Sequence, residues 1–196
     1  MKEIVLKIVD KYLEKFPEEK DRQTKLIKYL RKYDNPQIVD YKNCDGHITA
    51  SGFIYSLEEK KFLMIFHKKA QAYLNPGGHS DLEDANPLIT AKREIREETG
   101  VSDLKTISIV DEEIVPIDID THIIPFDAKK NLPEHYHFDF CYLFVVEKIK
   151  DIEIAEEEVQ NYKLVDIEEL YNNKHYGKIM FKIDKMIGKI GNNNIL

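Results

Sequence analysis

GGHSDLEDANPLITAKREIREETGV, residues 77–101, is the stretch on which the reading of this chain turns. Residues 87–99 carry a helical period. Pro87 suits a first turn, Leu88, Ala91 and Ile95 form an apolar stripe, and Gly100 stands where a helix ends. Residues three and four apart share a helix face, so Glu94, Glu97 and Glu98 lie together, away from the stripe. Arg93, four before Glu97, can hold that carboxylate in place. Three carboxylates on one face repel one another unless a positive charge lies between them. An oxygen-rich, strongly charged site of this kind suits a hard divalent cation, Mg²⁺ or Mn²⁺. Taken alone, the run also fits a solvated helix face laced by Arg–Glu pairs. The glycine pair Gly77–Gly78 lets backbone approach a metal or phosphate where a Cβ would obstruct it, and the Gly78 carbonyl is a candidate ligand.

The rest of the chain sets bounds. Its 196 residues suit one domain with an appendage. With 42% hydrophobic and 33% charged residues it can bury a core beneath a polar surface. A net charge of −7 argues against nucleic acid or an anionic membrane as partner, since both need a basic face. An acidic protein that handles phosphate must recruit cations. Cys44 and Cys141 are far apart and in no CxxC pattern, which reads as free thiols in a reducing cytosol. The N-terminus is too punctuated by charge for a signal peptide, and no run has the length of a membrane span. The expected location is therefore cytoplasmic.

Periodicity divides the chain. Residues 3–16 and 18–33 read as two amphipathic helices, so 1–40 is predicted as an N-terminal helical appendage, packed on the main domain or on a second copy in a homodimer. Residues 41–190 form the main domain and 191–196 a frayed tail. Within the domain, HITASGFIYS (47–56) and KFLMIFHKK (61–69) are β-rich runs joined by LEEK, and 73–84 reads as a loop. LKTISIVDEEIV (104–115), IDIDTHIIPF (117–126) and YHFDFCYLFVVEKI (136–149) read as strands. NYKLVDIEEL (161–170) is a strand entering a helix, and 177–190 is a last amphipathic helix. The order predicts a mixed α/β or α+β domain, its sheet between helices.

REIREETGV (93–101), preceded by the glycine pair, resembles the Nudix box. That pattern runs Gly, five residues, Glu, seven residues, then Arg-Glu-apolar-any-Glu-Glu-any-Gly-apolar. Arg93, Glu94, Ile95, Glu97, Glu98, Gly100 and Val101 match its second half, and Asn75-Pro76-Gly77-Gly78 fits the approach to it. The first half departs: five residues after Gly78 lead to Asp84, and eight then separate Asp84 from Arg93. Either Glu83 or Asp84 fills the first acidic position, which in the family steadies the Arg and the helix start. GHITASGFIYS before the box, and the Asp-x-His-x-Ile-Pro and His-x-His-x-Asp segments after it, are similar to a subgroup with an N-terminal helical segment.

The resemblance implies a Nudix-type fold and hydrolysis of a diphosphate linkage in a nucleoside diphosphate derivative, a small-molecule nucleotide substrate. It implies Mg²⁺ or Mn²⁺ held by Glu94, Glu97, Glu98 and Gly78, with Glu97, Glu98 and Arg93 as the catalytic set. Glu97 or Glu98 is the base, with a downstream Glu or His137 as rival. The acid run at 155–162 supplies Glu156, Glu157 and Glu158, of which Glu157 and Glu158 are the candidates retained. Alternation places His135, His137, Asp139 and Cys141 on one strand face, and Asp118, Asp120 and His122 on another. With His79 these either line a substrate pocket or brace adjacent strands as His–Asp pairs. Tyr73 either stacks on a base or packs. His67 and His175 lack supporting context and read as ordinary residues. Two other readings remain: a Nudix-like module that binds nucleotide without turnover, and an isopentenyl-diphosphate isomerase-like enzyme using Cys141.

Overall fold

The computed structural model of the chain describes residues 1–108, 114–128 and 131–192, with side chains to residue 188. Eight strands form one mixed sheet: β1 (Gly46–Ser56), β2 (Phe62–His67), β3 (Ala72–Leu74), β4 (Gly77–His79), β5 (Lys105–Ile107), β6 (Asp118–Ile124), β7 (His135–Val146) and β8 (Val159–Val165). The two longest strands, β1 and β7, run parallel and in register from Gly46↔Tyr136 to Ser56↔Val146, while the other pairings are antiparallel. β7 occupies one edge of β1 along its whole length. The other edge of β1 is shared: β2 pairs with Ile54 and Tyr55, and β4 with Thr49 to Ser51. That fork opens the sheet where the glycine pair stands.

Side-chain alternation sends successive residues of β1 and β7 to opposite faces. On one face, Ile48, Ala50, Ile54, Phe138, Phe140, Tyr142 and Phe144 pack against Ala91 and Ile95 of α3 (Pro87–Thr99). Val5, Val9 and Tyr12 of α1 (Lys2–Lys15) and Leu26 and Leu30 of α2 (Thr24–Lys32) belong to the same core, so the N-terminal helices rest on the sheet of their own chain. On the other face, Phe53, Cys141 and Leu143 pack with Leu170 of α4 (Ile167–Tyr171) and Met180, Ile183 and Met186 of α5 (Gly177–Asn192). This is the expected sheet between helices.

Several boundaries differ from the sequence reading, each for a tertiary reason. The second helix starts at Thr24, after a 3₁₀ turn at Pro17–Glu19. The intervening turn delivers Arg22 to the buried Asp118, at 2.6 and 2.7 Å, and Gln23 to the Ile119 carbonyl at 2.7 Å. The segment 73–84 is not all loop, because Ala72–Leu74 pairs with β2 and Gly77–His79 with β1. Such short strands exist only through distant partners. The strand expected over 104–115 is observed at Lys105–Ile107, and residues 109–113 lie outside the described residues. Of the tail, 191–192 continue α5 and 193–196 lie outside the described residues.

Candidate active site

α3 is built as its sequence demands. Asn86 caps it by accepting the Ile89 N–H at 3.1 Å, Pro87 occupies the first turn, and Gly100 closes it in the left-handed region at φ 75°. Ala91 and Ile95 are fully buried against the sheet. That docking turns the carboxylate face toward the fork in β1.

The glycine pair meets it there. Gly77 N–H donates to Glu98 Oε2 at 2.8 Å. A Cβ on Gly78 would stand 2.5 Å from the Glu94 carboxylate, so only glycine admits that side chain so close to the backbone. Arg93 braces the group from the other side. Its guanidinium donates to Glu94 Oε1 at 2.9 Å, to Glu97 Oε2 at 3.0 Å and to the His79 carbonyl at 2.7 Å. Asp84 in turn holds Arg93, accepting from Nε at 3.2 Å and Nη2 at 2.9 Å. Asp84 is 6% exposed and also accepts from Thr90 Oγ1 and the Asp81 N–H. Asp84 therefore fills the bracing position for which Glu83 competed, and Arg93 keeps its carboxyl below the usual range. The longer loop carries a shorter acid to the same guanidinium.

Electrostatically the face is under tension. Burial raises the Glu98 carboxyl to about 8, with Glu94, Glu158 and Glu97 adding to the rise. Burial likewise raises Glu94 to about 7 against the pull of Arg93. A cation placed among these carboxylates would lower both. Glu97 is more open, its side chain 56% exposed and tethered by Arg93.

The downstream acids separate. The loop after residue 150 is stitched to the end of α3 by the Glu153 N–H to the Thr99 carbonyl and the Ala155 N–H to the Glu98 carbonyl, at 3.0 and 3.3 Å. It brings Glu158 to Glu98 and to His67 at the end of β2, with one ligand atom of each within 4.8 Å of the others. No contact ties Glu157 to this group, and it stands exposed in the turn. His67, which has no supporting context in sequence, is thus brought into this group only by the fold. Its position depends on the β2–β8 pairing of His67 with Val159, which no local signal announces.

The other candidates lie elsewhere. On β4, Gly78 faces α3 and its neighbour His79 faces the opposite side of the sheet. There the registers His47↔His137, Thr49↔Asp139 and His122↔His137 gather His79, His122, His135, His137 and Asp139. His47, overlooked in sequence, sits among them. Asp139 accepts from Thr49 Oγ1 at 2.9 Å and Ser51 Oγ at 2.6 Å, so its partners are hydroxyls on the adjacent strand. The His122–Asp120 pair forms at 2.9 Å, within one strand. Tyr73 lies edge-on to Phe66 and beneath Lys163 Nζ, a packed position. Cys141 is 4% exposed and burial pushes its thiol well up, a poor setting for isomerase chemistry.

Comparison with known proteins decides the family. The NUDIX domain model matches residues 46–183. This chain belongs to the Nudix family. It is 34% identical to a probable DHNTP pyrophosphohydrolase of Lactococcus lactis subsp. cremoris (strain MG1363) over 138 residues, 69% of this chain and 76% of that protein. Among solved structures it is similar to a NUDIX-family hydrolase from Clostridium perfringens, with TM-score 0.51 and 22% identity over 70% of this chain and 96% of that one. It is also similar to the Ap4A hydrolase of C. elegans in a binary complex, with TM-score 0.50 and 19% identity over 72% and 97%. The Nudix fold is thereby shown, and with the box glutamates in place the chain is a Nudix phosphohydrolase. No helix among the described residues is long and apolar enough to cross a membrane.

Proposed function

We propose that this Nudix enzyme is a Mg²⁺- or Mn²⁺-dependent pyrophosphohydrolase that cleaves a diphosphate linkage in a nucleoside diphosphate derivative or a pterin triphosphate such as DHNTP. The observation that carries the reading is the geometry at the fork: Glu94 against Gly78, Glu98 on the Gly77 N–H, and Glu158 and His67 close behind. The pterin alternative rests on the Lactococcus relative.

The donors fit a hard cation. Glu94, Glu97 and Glu98, with the Gly78 carbonyl and Glu158 nearby, are oxygen ligands held under mutual repulsion. A cation held there would supply positive charge to the phosphate oxygens and would acidify a water beside it. The chain's own residues do the rest. Arg93, fixed by Asp84, sets the rotamers of Glu94 and Glu97 and keeps their charge from spreading the site apart. Gly77 occupies one Glu98 oxygen and leaves the other for the cation. Glu158 is the best-placed base: it is exposed, its carboxylate lies within 4.8 Å of a Glu98 oxygen and a His67 nitrogen, and it can take a proton from an attacking water. Neighbouring His67 can share that proton. His137, the earlier rival, faces the other side of the sheet.

A phosphate- and pyrophosphate-release screen tests the reading. The panel would hold nucleoside di- and triphosphates, nucleotide sugars, ADP-ribose, Ap4A and DHNTP, each with Mg²⁺ and with Mn²⁺. Metal-dependent turnover of at least one member, abolished by Glu98→Gln, is expected. Binding without turnover across the panel would overturn it.

A further inference from the structure

Behind the fork, the opposite face of β4 carries a cluster that the phosphohydrolase reading does not use. Strands β4, β1 and β7 bring His79, His47 and His137 together, and one nitrogen of each lies within 4.8 Å of the others. The rings of His47 stand 4.5 Å from His137 and 4.8 Å from His79, with 5.1 Å between His79 and His137. His47 is 1% exposed, yet neither of its ring nitrogens has a hydrogen-bond partner, and Nε2 of His137 is buried and unpartnered as well. A buried polar atom left unpaired destabilises the fold, so three in one place call for a compensating ligand.

Protonation does not supply the compensation. Burial and the neighbouring imidazoles hold His47 down at about 3 and push His137 lower still. Both rings are therefore neutral at physiological pH, each with a free lone pair. The local carboxylates are engaged elsewhere: Asp139 with Thr49 and Ser51, Asp120 with His122 and Arg22. Two further histidines frame the group. His135 stacks on His47 with centroids 5.1 Å apart and donates from Nδ1 to the Pro133 carbonyl at 2.7 Å. His122, fixed by Asp120, lies 5.5 Å from His137.

Three converging imidazoles are the donor set of a borderline first-row ion, Zn²⁺ above all, and not of Mg²⁺. We propose that His47, His79 and His137 bind a transition-metal ion of the Zn²⁺ class at a site separate from the box carboxylates. Three protein ligands leave one position for water or an anionic oxygen. The two sites share a strand but not a face. Gly78 serves the carboxylates, and the next residue, His79, serves the imidazoles while its carbonyl accepts from Arg93. The site does not depend on the phosphohydrolase reading.

The test uses chelator-treated full-length protein titrated with Co²⁺, whose visible bands report ligand type and geometry, followed by displacement with Zn²⁺. Glu98→Gln is run beside wild type to disable the box. The expected result is one equivalent of Co²⁺ with a nitrogen-ligand spectrum in both proteins, displaced by Zn²⁺ and unaffected by a large excess of Mg²⁺. His79 is exposed, so His79→Ala should fold normally and weaken binding by about 100-fold or more. His47→Gln should do the same, with circular dichroism reporting the fold. As a check independent of variants, Zn²⁺ should move the imidazole ¹⁵N resonances of His47, His79 and His137 in wild type and leave those of His175 in place. The proposal is overturned by the absence of a Co²⁺ equivalent in Glu98→Gln, by binding that survives both histidine changes, or by unmoved resonances at the three rings.

Discussion

The two faces of β4 make a useful comparison, because adjacent residues of three-residue Gly77–His79 serve opposite chemistries. On the α3 side, carboxylates are crowded, charged and partly neutralised by Arg93, and the backbone yields room through Gly78. On the far side, imidazoles are crowded, and buried nitrogens of His47 and His137, both held neutral by burial, are unpartnered. Crowding of like groups destabilises both, but in different currencies: Coulomb repulsion on one side, lost hydrogen bonding on the other. A hard dication would relieve the first, and a nitrogen-loving ion the second. A sheet only one backbone thick is enough to keep them apart.

The sharpest way to break this comparison is Glu98→Gln. It should lower kcat by about 10³-fold with the fold unchanged, because it removes a buried ligand without removing volume. Near-normal turnover would mean that the carboxylate face is not the reacting one. Next comes Asp84→Ala, which leaves Arg93 without its buried partner. Urea unfolding should show a loss of about 2–4 kcal/mol, and turnover should fall by about 10–100-fold as Arg93 releases Glu94 and Glu97. An Arg93 held equally well by Asp81 or Glu83 would leave both quantities near wild type.

The downstream loop offers a paired test. Glu158→Gln should cost about 10–100-fold in kcat, while Glu157→Gln stays within about twofold, since only Glu158 reaches Glu98 and His67. Equal effects would dissolve the distinction between the two neighbours. The smallest effect concerns pH. Glu94 and Glu98 have folded-state values raised from 4.5 to about 7 and about 8, so folding favours their protonated forms. The stability they contribute is complete below about pH 4.5 and is lost as pH rises through 7 and 8. Chelator-treated protein should therefore melt several degrees lower at pH 9 than at pH 6, and Glu98→Gln or added Mg²⁺ should flatten the slope. The imidazole face should partly offset that slope between pH 6 and about 7 and leave it alone above, because folding holds His47 and His137 below their ordinary value of 6.5 and so favours the deprotonated rings.

Much of this was legible in the chain. Helical spacing alone put Glu94, Glu97 and Glu98 on one face with Arg93 beside Glu97, and the structure places α3 at the predicted residues 87–99. The strand 136–149 and the helices 3–16 and 177–190 were likewise readable to within a few residues. Local periodicity carries such signals because one face of each element is buried. What periodicity could not carry was pairing. Three-residue β4 has no period of its own, and only its pairing with β1 makes it a strand. His67 reads as ordinary in the sequence for the same reason, and His47 is not singled out there, as their neighbours are supplied by β8 and β7.

The residues that can hold a hard cation, their order on one helix turn and the family they belong to were set by the sequence itself. Those properties depend on covalent spacing and a 3.6-residue repeat. The meeting of Asp84 with Arg93, of Glu158 with Glu98 and His67, and of His47 with His79 and His137 was decided only by the tertiary structure. Each depends on strand register and loop path, and a shift of one residue would turn the side chain concerned to the other face.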